Sequence, residues 1–285
     1  MANPHLTASA PPLPVMRGLG TLLRALATLR RKARGQVDTG RKRYEVPPIP
    51  EAHLADYRKA LGFHADTVPL TYLYLLAQRA HVGVMLASEF PYPVVGMVHV
   101  ANEMRWIGGG ATAFDRRLPC EIELHVQPDP PSASGAHFLT FQVQFVQHGR
   151  VFASCSSRYL ALRGRRSSGK KDEPPSPVVG PVFAHYALAE DAGRRYAKLS
   201  GDSNPIHLWR WSARLLGFKR PIMHGMHTVG RLAAELERAH GRPPQSIDVK
   251  FLKPAPLPCE VRLHESAQQI QVWQADSPVL EGSWS

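Results

Sequence analysis

Cysteine is scarce: Cys120, Cys155 and Cys259 are the only three in 285 residues. An odd number, widely spaced, excludes a disulfide framework and the paired spacing of a structural zinc site, and fits a reducing, cytoplasmic setting. Long apolar runs are missing too, so no stretch reads as a membrane-spanning helix. Acidic residues are absent before Asp38, although the chain carries a net charge of +12. No recognised nucleic-acid module or aromatic-basic interleaving accompanies that charge, which argues against nucleic acid as a partner. The 14 histidines show no ligand spacing, so no metal site is expected.

What is present begins with that acid-free stretch. Residues 1–14 are small, polar and proline-rich and read as disordered. Beyond them Arg17, Arg24, Arg30, Arg31, Lys32 and Arg34 accompany Met16, Leu19, Leu22, Leu23, Leu26 and Leu29 at helical spacing. The pattern predicts a basic amphipathic helix over about residues 15–34. Three roles stay open for it: docking on the protein's own surface, peripheral contact with an anionic membrane, or targeting to an organelle. It carries no group that chemistry needs, so catalysis is expected to survive its deletion.

The chain divides into an N-terminal basic segment (1–43), a first unit (44–163), a Gly/Ser/Pro-rich charged linker (164–177) and a second unit (178–285). In the first unit an apolar run over Leu70–Leu86 predicts a buried helix. Strands are expected at 97–106, 120–126, 138–147 and 151–162. Phe141, Val143 and Phe145 alternate with Gln142, Gln144 and Gln147, the pattern of a sheet wet on one face. The two units repeat each other: Leu118-Pro-Cys-Glu-Ile-Glu-Leu-His125 recurs as Leu257-Pro-Cys-Glu-Val-Arg-Leu-His264, and Leu61-Gly-Phe63 as Leu216-Gly-Phe218. The chain is therefore read as two copies of one helix-plus-sheet unit, a pseudo-dimer within one chain that leaves a homodimer open.

The chemistry concentrates in residues 196–230. Asp202 and His207 stand five residues apart around Asn204-Pro205, which predicts a helix starting at Pro205, capped by Asn204 and stopped by Gly217. A histidine in the first turn of a helix is biased toward the neutral form, which can accept a proton from water. A second helix is expected from Gly225, with Met226, Val229, Leu232, Ala233 and Leu236 on its apolar face and Gly241 and Pro243 at its end. Gly225 then offers an unobstructed backbone N–H at a helix N-terminus, able to hold a carbonyl oxygen as it gains negative charge. Ser200 and His224 are supporting candidates and Tyr196 a core residue. Acid, neutral imidazole and oxyanion donor together suit hydration or dehydration; the same residues in isolation also read as an ordinary capping sequence.

The pattern Y-x-x-L-S-G-D-x-N-P-I-H-x5-A followed by G-F-x-x-P-I-x-H-G-M resembles the MaoC-like hydratases, the (R)-specific enoyl-CoA hydratase 2 family. The resemblance implies an α+β hotdog fold, an antiparallel sheet wrapped around a long central helix, here in tandem as a double hotdog. It implies Asp202 and His207 as the catalytic pair and Gly225 as the oxyanion donor, with interconversion of trans-2-enoyl-CoA and (R)-3-hydroxyacyl-CoA. It implies no cofactor or metal beyond the coenzyme A or acyl carrier thioester of the substrate. Trp209 and Arg210 stand where many relatives have Asp-Pro.

The first copy departs further. At a constant offset of 155 residues Ala52 falls opposite His207 and Pro47 opposite Asp202, so this copy has lost the motif. His53 is read as a surface residue, and the resemblance implies that the first copy makes room for an acyl chain. Dehydration of 3-hydroxyacyl groups on acyl carrier protein uses the same residues. A non-catalytic acyl-thioester-binding protein is the alternative of another class.

Overall fold

The computed structural model describes residues 10–16, 18–31, 36–130, 132, 135–161, 177 and 179–285. The expected disorder of residues 1–14 falls largely outside these, as do Arg17, Lys32, Arg34 and the linker at 164–177 apart from Pro177.

The described secondary structure runs α1 (Gly18–Ala27), β1 (Lys42–Val46), α2 (Glu51–Leu61), α3 (Leu70–Leu86), β2 (Met97–Trp106), β3 (Cys120–Pro128), β4 (His137–Gln147) and β5 (Arg150–Ala161). It continues as β6 (Val182–Leu188), α4 (Ala192–Ser200), α5 (Arg210–Leu215), α6 (Gly225–His240), β7 (Ser246–Phe251), β8 (Cys259–Ser266), β9 (Gln269–Gln274) and β10 (Ser277–Trp284). The ten strands form one antiparallel sheet in the order β1-β3-β4-β5-β2-β7-β10-β9-β8-β6. Read outward from the β2–β7 seam, each half repeats the same strand order. The seam runs from Ala101 opposite Lys250 to Arg105 opposite Ser246. The architecture is an α+β double hotdog.

Each half holds one long helix against its strands, and the two helices, α3 and α6, pack on each other. α3 is apolar nearly all round because both its faces are covered, and Leu73, Leu75, Ala77 and Ala80 are buried. On β4 Leu139, Phe141, Val143 and Phe145 face inward while Gln142 and Gln144 are exposed. Gln147, expected on the wet face, is buried: two residues beyond Phe145 it continues the inward-facing row of β4, and its amide binds the backbone of Asp115 and Pro119.

Two further expectations need correction. The N-terminal segment is not one long basic helix: α1 ends at Ala27, a 3-10 turn covers Thr28–Arg30, and Leu23, Leu26 and Leu29 stay exposed. The chain around it is tied down on the first copy. Leu13 N donates to Glu45 O at 2.9 Å, and Leu13 is buried. Pro14 crosses α3 at Gly83, where a Cβ would lie 2.6 Å from its ring. Arg31 inserts its guanidinium among the last carbonyls of α3, donating to Met85 O and Ala87 O, both at 2.7 Å. A cation there meets the negative end of the helix dipole.

His53 is likewise no free surface residue. Its Nδ1 bonds Tyr72 Oη at 2.9 Å and its Nε2 donates to Leu199 O at 2.8 Å, joining α2 of the first copy to α4 of the second.

Candidate active site

Gly201 ends α4 in the left-handed conformation, φ 80°, and turns the chain toward the domain interior at Asp202. The segment after it does not form the single expected helix. A 3-10 turn spans Pro205–His207, Trp209 is extended, and α5 starts anew at Arg210. In the first copy the corresponding residues form the unbroken α2. Asn204 caps the turn as expected, its Oδ1 accepting Ile206 N–H at 3.4 Å. Ser212 Oγ secures the break by donating to the carbonyls of Pro205 and Trp209. Trp209 and Arg210, the residues that depart from the motif, line a surface cavity of about 510 Å³ outside α4 together with Glu190, Asp191, Arg194 and Trp211.

The turn and the start of α6 bring Asp202, His207 and His224 together, each offering a ligating atom within 4.8 Å of the others. Asp202 is gripped at both carboxylate oxygens: Oδ1 accepts Asn204 N–H at 3.1 Å, and Oδ2 accepts Gln78 Nε2–H at 2.8 Å. His207 donates from Nδ1 to Ile222 O at 2.7 Å, which leaves Nε2 as the basic nitrogen. His224 donates from Nε2 to the main-chain oxygen of Asp202 at 3.1 Å, and its buried Nδ1 has no hydrogen-bond partner. Ser200 braces the loop, donating to Tyr196 O and accepting Asp202 N–H.

The charge state follows from these contacts. Burial pushes the Asp202 carboxyl upward, but the His224 and His207 imidazoles, the Asn204 amide and the Gln78 amide outweigh it and hold the group below its ordinary value. Burial lowers His207, against the opposing pull of Asp202 and the Ile222 bond. His224 is driven down to about 3 by burial and by His207 beside it. Around neutral pH the site therefore presents a carboxylate beside neutral imidazoles.

Among the described residues no direct hydrogen bond joins Asp202 to His207. A water making two bonds of about 2.8 Å at a tetrahedral angle spans roughly 4.6 Å, within the 4.8 Å limit that encloses the three ligating atoms. By spacing the same trio also suits a metal ion; the His207 and His224 rings stack with centroids 3.7 Å apart and planes 26° apart, and one nitrogen of each is committed to a main-chain carbonyl.

Gly225 opens α6 directly after His224, at a helix start where the first amides lack intrahelical acceptors. The glycine is required by a close approach: a Cβ there would lie 2.6 Å from Phe251 Cε1. In the first copy the counterpart position holds Val68, Pro69 and Leu70, and the cavity they line with Phe63, Ala233 and Ile247 measures only about 10 Å³. His99 stacks on Tyr159 and Tyr74 at 4.7 and 5.6 Å and packs on Phe251 at 5.0 Å.

Two site residues have no signal in the motif, Gln78 and Phe251. Gln78 lies on α3, and an amide within a buried apolar helix is the one hint the sequence offers.

Residues 173–281 match the family model described as MaoC like domain. The chain carries a MaoC-like domain. Beyond that domain, the 3-hydroxyacyl-thioester dehydratase X of Mycobacterium tuberculosis is 29% identical over 226 residues, covering 77% of this chain and 78% of that protein. The peroxisomal multifunctional enzyme type 2 of Drosophila melanogaster is 35% identical over 105 residues, 34% of this chain and 17% of that much longer protein. The crystal structure of HtdX from Mycobacterium tuberculosis superposes with a TM-score of 0.69 at 21% identity, covering 85% of this chain and 99% of that one. A MaoC-like dehydratase from Phytophthora capsici superposes with a TM-score of 0.66 at 16% identity, covering 87% and 96%. At these identities the superpositions speak for the fold, and they extend the likeness across both halves of the double hotdog.

Proposed function

We propose that this MaoC-like protein is a hydro-lyase that interconverts trans-2-enoyl and (R)-3-hydroxyacyl thioesters. The observation that carries the reading is the convergence of the Asp202 carboxylate and the neutral His207 imidazole within 4.8 Å, next to the helix that Gly225 opens. The name of the mycobacterial relative, a 3-hydroxyacyl-thioester dehydratase, supports the same chemistry.

In the hydration direction Asp202 and His207 hold one water against C3 of the enoyl group. One of the pair takes a proton as the C–O bond forms, electron density moves onto the thioester oxygen, and the pair returns a proton to C2. The Gly225 N–H stabilises the enolate oxygen, a type of contact worth about 3 kcal/mol of barrier in other enzymes. Dehydration retraces the same steps. His207 Nε2 is available as a base because Nδ1–H is committed to Ile222 O.

The carrier is coenzyme A or acyl carrier protein, and the excess of basic residues suits phosphates on either. No cofactor enters this scheme. Three free thiols accord with a reducing, cytoplasmic compartment. Among the described residues no helix is long and apolar enough to cross a membrane, while exposed Leu23, Leu26 and Leu29 beside Arg24 and Arg30 suit peripheral contact with an anionic surface.

The test is hydration of crotonyl-CoA and longer enoyl-CoA substrates, followed by loss of the conjugated thioester absorbance and chiral analysis of the product. An (R)-3-hydroxyacyl product is expected. No turnover of any enoyl thioester on either carrier, by folded protein, would sink the reading.

A further inference from the structure

The first copy has lost its own acid and base, yet it supplies one of the two groups that grip Asp202. Gln78 lies on α3, on the first-copy side of the β2–β7 seam, and its Nε2–H donates to Asp202 Oδ2 at 2.8 Å. The other carboxylate oxygen is held from the second copy by Asn204 N–H. With both oxygens tied, the carboxylate cannot rotate, and its remaining lone pairs face a fixed direction.

The asymmetry between the copies matches this role. The offset of 155 residues that pairs Pro50 with Pro205 and Phe63 with Phe218 also pairs Leu70 with Gly225, the first residues of the two central helices. It sets Gln78 against Ala233, and Ala233 lines the closed counterpart cavity where no acid stands. The helix that faces the live acid carries the amide, and the helix that faces the vacated position carries a methyl group.

We propose that Gln78 is a positioning residue for the hydration reaction, a donor supplied across the seam that orients the Asp202 carboxylate and keeps it ionised. This rests on the hydro-lyase reading above. The groups facing Asp202 from every side are His207, His224, Tyr196, Tyr74, His99 and Tyr159. Burial holds the imidazoles neutral and the phenols protonated, so none of them carries charge near neutral pH. The two amide donors act beside the larger effect of His224 and His207 against the cost of burying the carboxylate, and a donor to a charged group is the stronger kind of hydrogen bond. The degenerate copy is thus part of the site.

The test compares Gln78→Met, which keeps shape but cannot donate, and Gln78→Glu with wild-type full-length protein. Gln78→Met is expected to lower kcat/KM roughly tenfold or more and to move the acid limb of its pH profile upward, because the ionised carboxylate loses a donor. Gln78→Glu should retain activity only where Glu at that position is protonated and can donate, giving a profile that falls as pH rises. A substrate-free readout accompanies these: the Asp202 carboxyl titration, followed by NMR of carboxyl-labelled protein and assigned with Asp202→Asn, should shift upward in Gln78→Met. Wild-type kcat/KM and an unmoved titration in Gln78→Met would overturn the proposal, as would a rate loss that brings a lower Tm and no shift of the limb. The hydro-lyase reading fails separately, if Asp202→Asn is as active as wild type.

Discussion

Mild acid should unfold this protein, because buried histidines carry the cost. His81, His224 and His227 are 0%, 3% and 8% exposed, and burial is the leading cause that pushes each of them down to about 3. His81 lies in the ring cluster with Tyr159 and Phe141, and His227 sits one turn into α6 against Tyr196. Each is neutral in the folded state and titrates at about 6.5 in the unfolded chain. A folded pKa below the unfolded one means that falling pH loads protons onto the unfolded chain first, so stability is complete well above pH 6.5 and drains away below it. At about pH 5 each histidine costs about 2 kcal/mol, and the three together cost about 6 kcal/mol, comparable with the whole stability of an ordinary domain. The slope through that range should approach about 4 kcal/mol per pH unit. Urea unfolding followed by tryptophan fluorescence at pH 8, 6 and 5 measures it. His81→Gln should flatten the slope by about one proton. A stability unchanged between pH 8 and 5 would refute the reasoning and mean that these imidazoles find solvent or a partner when protonated.

Two further outcomes follow from the packing. Arg31→Ala, which removes the guanidinium from the end of α3, should cost about 2 kcal/mol and lower Tm by several degrees; an unchanged Tm would mean that the N-terminal segment is merely draped on the surface. Residues 178–285 expressed alone should be insoluble or inactive, since β7 loses β2 and α6 loses α3, and should recover some activity when mixed with residues 40–165. A monomeric, active 178–285 fragment would contradict the composite site.

Much of this was legible before any coordinates, wherever one segment's own pattern decides its structure. The apolar run 70–86 is α3 to the residue, and Met97–Trp106 is β2, because each has a clear period or length. The repeated Leu-Pro-Cys-Glu segments announced the pseudo-symmetry that the mirrored strand order makes explicit. The motif led to Asp202, His207 and His224, which lie together, and to Gly225, which follows His224 at the start of α6. What stayed hidden depends on how distant segments meet. Nothing local to Gln78 or His53 points at the other copy, and nothing in Arg31 points at the end of α3. The break at Trp209 is local, but it overrides a pattern that looked regular, an extended residue interrupting a helix, while Gln147 keeps the two-residue period of β4 and so faces inward with Phe145.

The central claim is that Asp202 and His207 share one water and move its proton. Asp202→Asn and His207→Gln preserve size and remove the acid or the base, so kcat/KM on an enoyl-CoA that wild type hydrates is the most direct measurement, with Tm recorded beside it. Each variant should lose about 10²–10⁴-fold in rate while melting close to wild type. Wild-type kcat/KM in either variant would contradict the account, and a rate loss explained by unfolding would return Asp202 and His207 to the ordinary work of capping a turn.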